Sequence, residues 1–535
     1  MRKVLALLLL IWSSTAHGQV SYQNPILPGF YPDPSICRVG DDYYLVNSTF
    51  QFYPGVPIFH SKNLANWEQI GYVLNRPEQL PLDKAVPFGG IFAPTIRHHK
   101  GVFYMITTNM GSKGNFYVTA TNPAGPWSNP VWIETPGIDP SLFFDEDGKA
   151  YVTSTQNWGP VKNGIVLSEI DLKTGKLMTP PTSIWLGTGG RYPEGPHIYK
   201  KDGFYYLLIA EGGTEYGHSV TMARSRRIGG PYDANPANPI LTHADHQSEA
   251  SPIQGVGHAD LVQAADGAWF LVALGFRPLD THQFLGRETF LAPVKWVAGG
   301  WPVVNGNGSL ALAMTAPKLP GGPVQVQNYS QRDDFSEKSL GFVWNYLHNP
   351  VPADYSLTER PGYLRLHGAA NTLDQPVGVT FVGRRQQQFD FTATTTLDFT
   401  PTGNEEAGLT VYRNPQYYYQ LSVQKSGTGR ELVLSYYLGL IKAVEKRVPL
   451  QAGPVQLSIS GTQEFYEFAY AQGTQPLTKL GKVNTRFLSY ETAGGMHGVY
   501  LGLFATGNGQ KASAPADFDS FDYLPTSPSA ATARP

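Results

Sequence analysis

Cysteine is almost missing from this chain. Cys37 stands alone among 535 residues, which excludes an internal disulfide framework and a cysteine metal cluster and leaves it a core-filling role. Long apolar runs are missing too. The one run near the start, residues 4–12, falls far short of the roughly 20 residues that span a bilayer. No later stretch reaches that length, so no membrane span is expected. Surplus charge of either sign is also absent. Forty basic residues face 42 acidic ones, well mixed, for a formal net charge of -2. A nucleic-acid-binding surface or an anionic-membrane anchor would need a basic excess that is not here.

What is present points to export and to β-structure. Arg2 and Lys3, the apolar run, and small residues ending in Ala16-His17-Gly18 compose a secretory signal over residues 1–18. The protein is therefore expected in the periplasm or outside the cell. The remaining length exceeds what one core usually supports, which predicts two domains. Aromatic residues make up 13% of the chain, beside 57 glycines and 43 prolines. That mixture suits short strands joined by tight turns, with aromatic-lined carbohydrate sites.

A repeat sets the architecture. A turn followed by an aromatic strand occurs as Asp41-Asp42-Tyr43-Tyr44, Lys100-Gly101-Val102-Phe103-Tyr104 and Asp147-Gly148-Lys149-Ala150-Tyr151, then as Asp202-Gly203-Phe204-Tyr205-Tyr206 and Asp266-Gly267-Ala268-Trp269-Phe270. The markers Tyr44, Tyr104, Tyr151, Tyr206 and Phe270 are spaced by 60, 47, 55 and 64 residues. Each interval holds about four strands, a propeller blade. Five copies predict an all-β, five-bladed β-propeller over residues 20–315. After the Pro- and Gly-rich linker at 316–323 the pattern alternates with period two, as in Tyr417-Tyr418-Tyr419-Gln420-Leu421-Ser422-Val423. This predicts an antiparallel β-sandwich over 325–525, followed by a flexible tail at 526–535.

The candidate chemistry lies at one position of the repeat. Asp33, Ala93, Asp139, Glu194 and His258 precede their markers by 11, 11, 12, 12 and 12 residues. As first residues of the innermost strands they converge on one mouth of the central channel. A single Asp-Pro is ordinary turn chemistry, but three acids and a histidine in register are not what a structural repeat requires. Asp139 and Glu194 occupy adjacent blades, so one of them must hold a proton. Glu194, with the longer reach, is the expected acid. Asp33, two blades from each, is the expected ionised base. That division of labour is an inverting glycosidase's.

Several runs carry a resemblance. They include Phe30-Tyr31-Pro32-Asp33-Pro34-Ser35, Gly137-Ile138-Asp139-Pro140-Ser141, Arg191-Tyr192-Pro193-Glu194-Gly195-Pro196-His197, Gly257-His258-Ala259-Asp260 and Leu285-Gly286-Arg287-Glu288-Thr289-Phe290. Together they resemble family 43 of the glycoside hydrolases. The resemblance implies an inverting propeller enzyme with Asp33 as base, Glu194 as acid and Asp139 tuning the acid, and a concanavalin-like sandwich that partly closes the pocket. It implies exo release of terminal β-D-xylose or α-L-arabinofuranose from hemicellulose oligosaccharides, with no required cofactor and no protein partner. Arg287 matches the family's sugar-binding arginine. Phe92 stands where many relatives carry tryptophan, so its stacking area is smaller. Phe50 and Phe52 are expected to wall the subsite and Thr214 to line it. Relatives hold water or calcium near the equivalent of His258, and structural calcium where segments like those of Asp334 and Asp519 meet. Two alternatives stand: a predominantly arabinofuranose-releasing enzyme, and a non-catalytic carbohydrate-binding propeller, which would not need the three acids.

Overall fold

The structure, a computed structural model, describes residues 19–156, 164–244 and 251–526. The expected signal at 1–18 and, apart from Thr526, the expected tail at 526–535 lie outside the described residues. Strands dominate, in five propeller sheets and two larger ones. No described helix is long and apolar enough to cross a membrane.

Each blade opens with an inner strand hairpinned to the strand carrying the aromatic marker. These pairs are Ser35–Val39 with Asp42–Val46, Thr95–His99 with Val102–Met110, and Ile138–Phe144 with Ala150–Gln156. Glu194–Lys201 with Phe204–Glu211 and Gln254–Gln263 with Trp269–Phe276 complete the set. Turn chemistry fixes these hairpins. At Lys100-Gly101 and Asp202-Gly203 both residues have positive φ, the type I′ geometry that matches strand twist. Successive inner strands touch, and the fifth returns to the first. The ring is tied by Val20–Gln23 pairing with Ala313–Ala316.

Beneath the mouth the channel is plugged by polar groups from all five blades. Arg97 Nη1 meets Asp260 Oδ2 at 2.7 Å, and Asp260 also accepts from Ser35 Oγ (2.6 Å) and Tyr199 OH (2.5 Å). His197 Nδ1 lies 3.0 Å from both Arg97 Nη2 and Ser141 Oγ. The arginine and the serine hydroxyl hold Asp260 well below the usual carboxylate range against its burial.

The second part is a sandwich of two eight-stranded sheets. Its strand Phe391–Asp398 shows the expected alternation, with Phe391, Ala393, Thr395 and Leu397 buried. One sheet runs from Ile441–Leu450 through Glu406–Asn414, Tyr500–Thr506 and Thr380–Arg385 to Asn345–Leu347. Its last strand is Phe52–Tyr53, donated by blade one. Phe52 is therefore no pocket wall. It is fully buried and stacks on Tyr500 at 4.1 Å. The two parts share a sheet.

Candidate active site

The repeat positions hold their side chains through local irregularity. Register breaks interrupt the inner strands between Ile138 and Ser141, between Glu194 and His197, and on either side of Gly257. Such bulges re-aim side chains next to sites. Asp33, Asp139 and His258 all have positive φ, at 52°, 54° and 43°, a conformation few non-glycine residues adopt. The chain turns there to point them into a pocket of about 510 Å³. Asp33, Asp139, Glu194, His258, Arg287, Phe50, Phe92 and Thr214 all line it. Every residue expected at the subsite from the sequence is present except Phe52.

Asp33 is buried and fully engaged. Its Oδ2 accepts from Ser48 Oγ at 2.6 Å and its Oδ1 from Arg287 Nη1 at 2.8 Å. Burial alone would raise its pKa. The Arg287 guanidinium, the nearby His258 (Nδ1 at 4.0 Å) and the Ser48 hydroxyl outweigh that, so the carboxyl lies below its ordinary range and is ionised. Arg287 organises the site beyond Asp33. It also donates to Thr214 Oγ1 (3.0 Å) and lies over the Phe50 ring at 5.6 Å.

The other two carboxyls behave oppositely. Burial raises Glu194 to about 7, helped by the charge of Asp33 and opposed by Arg287. Asp139 is pushed well above the carboxylate range by burial, then by Glu194 and Asp33, against one hydrogen bond from Gly195 N at 3.2 Å. Asp139 is the deeper group, 5% exposed, while the Glu194 side chain keeps 21%. Both carboxyls are raised, chiefly by burial, and Asp33 adds to each, so Asp139 and Glu194 titrate as one coupled site. Depth of burial is what spacing does not encode.

Other lining residues escaped the sequence reading. Arg191 and Tyr192 stand at the rim, the guanidinium 5.2 Å from the tyrosine ring. Their place just before Glu194 was a usable signal. Tyr490 and Met496 come from the sandwich. Tyr490 OH donates to Glu215 Oε1 at 3.2 Å, and the Met496 carbonyl accepts from Arg287 at 3.3 and 3.4 Å. No local pattern marks them.

At the positions expected for calcium, several carboxylates already have protein partners. Asp334 caps its own turn through Ser336 N and Oγ, while the acids flanking Asp519 are claimed by arginines, Asp517 by Arg360 and Arg365, and Asp522 by Arg332. His258 sits above the cationic Arg97 plug and packs on Gly195, where an added Cβ would lie 2.9 Å from its ring. Among the described residues, no group of three or more His, Cys, Asp or Glu side chains could hold a metal ion.

Comparison with known proteins agrees with this geometry. Residues 22–302 match the model of glycosyl hydrolases family 43, and residues 332–524 match the β-xylosidase C-terminal concanavalin A-like domain. The chain is 43% identical to a non-reducing end α-L-arabinofuranosidase of Bacteroides ovatus, over 97% of this chain and 98% of that one. It is 41% identical to a xylosidase/arabinosidase of Butyrivibrio fibrisolvens, over 93% and 98%. A solved Bacteroides ovatus structure described as xyloglucan PUL GH43B superposes with a TM-score of 0.90 at 43% identity, covering 95% of this chain and all of that one. The chain is a glycosidase and belongs to family 43 of the glycosyl hydrolases, with a C-terminal concanavalin A-like domain.

Proposed function

We propose that the protein is an exported, inverting exo-glycosidase that releases a terminal pentose, β-D-xylose or α-L-arabinofuranose, from hemicellulose oligosaccharides. The observation that carries this reading is the separation of states among three acids in one pocket. Asp33 is held ionised by Arg287 and Ser48, and Glu194 keeps its proton up to about pH 7. One carboxylate activates water while one carboxylic acid protonates the leaving oxygen. The plugged channel below and the sandwich residues Tyr490 and Met496 at the side support a pocket that takes one sugar at a chain end. The names of both relatives support pentose as the substrate class. Export rests on the reading of residues 1–18, and mass spectrometry of the secreted protein should find a mature N-terminus near Gln19.

A panel of p-nitrophenyl pentosides, with NMR following the sugar anomer released first, tests the substrate and stereochemistry together. The inverted anomer of xylose or arabinose is expected. Initial appearance of the retained anomer would overturn the mechanism, and inactivity on every pentoside would overturn the substrate class.

The pH profile follows from the same groups. Activity requires ionised Asp33 and protonated Glu194, so kcat/KM should fall as pH rises through about 7. Asp139→Asn removes a carboxyl coupled to Glu194 and keeps an acceptor for Gly195 N. Glu194 should then lose its proton at lower pH, and the alkaline limb should move acidward. An unchanged alkaline limb in a folded, active Asp139→Asn enzyme would overturn the tuning role of Asp139.

A further inference from the structure

Arg413 closes the sandwich strand Glu406–Asn414 and is 1% exposed. Arg97, Arg277 and Arg287 are partnered by carboxylates at 2.7–2.8 Å. Arg413 instead spends its fork on backbone: Nε and Nη2 donate to Gly494 O at 3.3 and 2.9 Å, and Nη2 reaches Gly495 O at 3.3 Å. Its neighbour Asn414 donates to Ala493 O at 3.0 Å. Burying a guanidinium against carbonyls, with Nη1 left unpartnered, is costly for stability, which turns attention to what those carbonyls hold.

They hold the segment that enters the active site. Gly495 has φ +83°, and a Cβ there would lie 1.9 Å from Phe88 Cε1 of the propeller, so only glycine fits the wedge. The next residue, Met496, presents the carbonyl that receives Arg287 Nε and Nη2, and Arg287 Nη1 grips Asp33. A continuous chain of hydrogen bonds and short backbone links thus runs from the sandwich core to the general base.

We infer that Arg413 is a positioning residue for catalysis: by fixing the Gly494–Met496 backbone it orients Arg287, and through Arg287 it sets the geometry of Asp33. This rests on the reading of Asp33 as base. The groups facing Asp33 are Arg287, His258, His218, Ser48 and the carboxyls of Asp139 and Glu194. Of these, only Arg287 is hydrogen-bonded to the loop. A loosened Arg287 would leave Asp33 easier to protonate, so the acid limb of the pH profile should rise.

Arg413→Lys tests this, because it keeps the charge and loses the fork. kcat/KM should drop about 10- to 100-fold, mostly in kcat, as misplaced catalytic groups cost, and the acid limb should move up by about half a unit or more. Gly495→Ala, which leaves Arg413 intact but lifts the loop off Phe88, should reproduce both effects, with near-UV circular dichroism confirming the fold. Arg430→Lys is the control. Arg430 is also buried in the sandwich and bonded to the carbonyls of Phe399, Gln451 and Gly453, remote from the pocket. A wild-type pH profile in Arg413→Lys, or an equal shift in Arg430→Lys, would overturn the inference. Failure of the underlying reading would appear separately, as an active Asp33→Asn enzyme.

Discussion

Replacing Asp33 with alanine should cost at least the upper end of the 10²–10⁴-fold associated with general base catalysis, about 5.5 kcal/mol in transition-state stabilisation. The loss should be equal for activated aryl pentosides and for unactivated disaccharides, because water must be deprotonated in both cases. No other group is placed to substitute: the coupled Glu194 and Asp139 carboxyls are both raised, and His258 is buried with its pKa depressed. The alanine variant also leaves Arg287 without its carboxylate, and a buried unpaired cation destabilises. Asp33→Asn is the companion variant. It keeps the shape and tolerates the positive φ at this position better than alanine. In Asp33→Ala, azide entering the vacated space beside Arg287 should attack the anomeric carbon from the water's face and yield a glycosyl azide of inverted configuration. A retained azide product, or more than a few per cent residual activity in both variants, would remove Asp33 from the role of base.

Glu194→Ala should behave differently in kind. Without the proton donor, the leaving group must depart as an anion. A disaccharide or alkyl pentoside should lose about 10³–10⁴-fold, while a dinitrophenyl pentoside, whose leaving group needs no proton, should fall by no more than about tenfold. The limb near pH 7 should vanish from the profile measured with the activated substrate, since Glu194 is the group that ionises there. Azide should not rescue this variant, because the base side of the site is intact. Equal losses on good and poor leaving groups would show that Glu194 is not the acid.

The repeat carried much of this in plain view. Five aromatic markers at fixed offsets from Asp33, Ala93, Asp139, Glu194 and His258 could be counted because each inner strand and its hairpin partner keep one register, whatever loops follow. Position along a repeat says which face a residue takes. It does not say how deep it lies, and depth is what raises both Asp139 and Glu194. Tyr490 and Met496 were hidden for another reason. They lie about 300 residues from Glu194, around the single helical turn Tyr490–Ala493, and only the packing of the two parts brings them to the pocket. Adjacency in sequence does not show partners: Arg332, Arg360 and Arg365, all distant along the chain, hold Asp522 and Asp517, the acids flanking Asp519.

Phe52–Tyr53 form the last strand of a sandwich sheet only two residues after Phe50, which lines the sugar pocket. Inheritance of the two halves is thereby joined. A recombination event that paired this propeller with another lineage's sandwich would have to match Phe52 to its foreign strand and stack it on a foreign Tyr500, or pull Phe50 out of place. The sandwich is thus not a module that can be traded at the linker. The residues through which it lines the pocket and those through which it holds blade one are therefore constrained together.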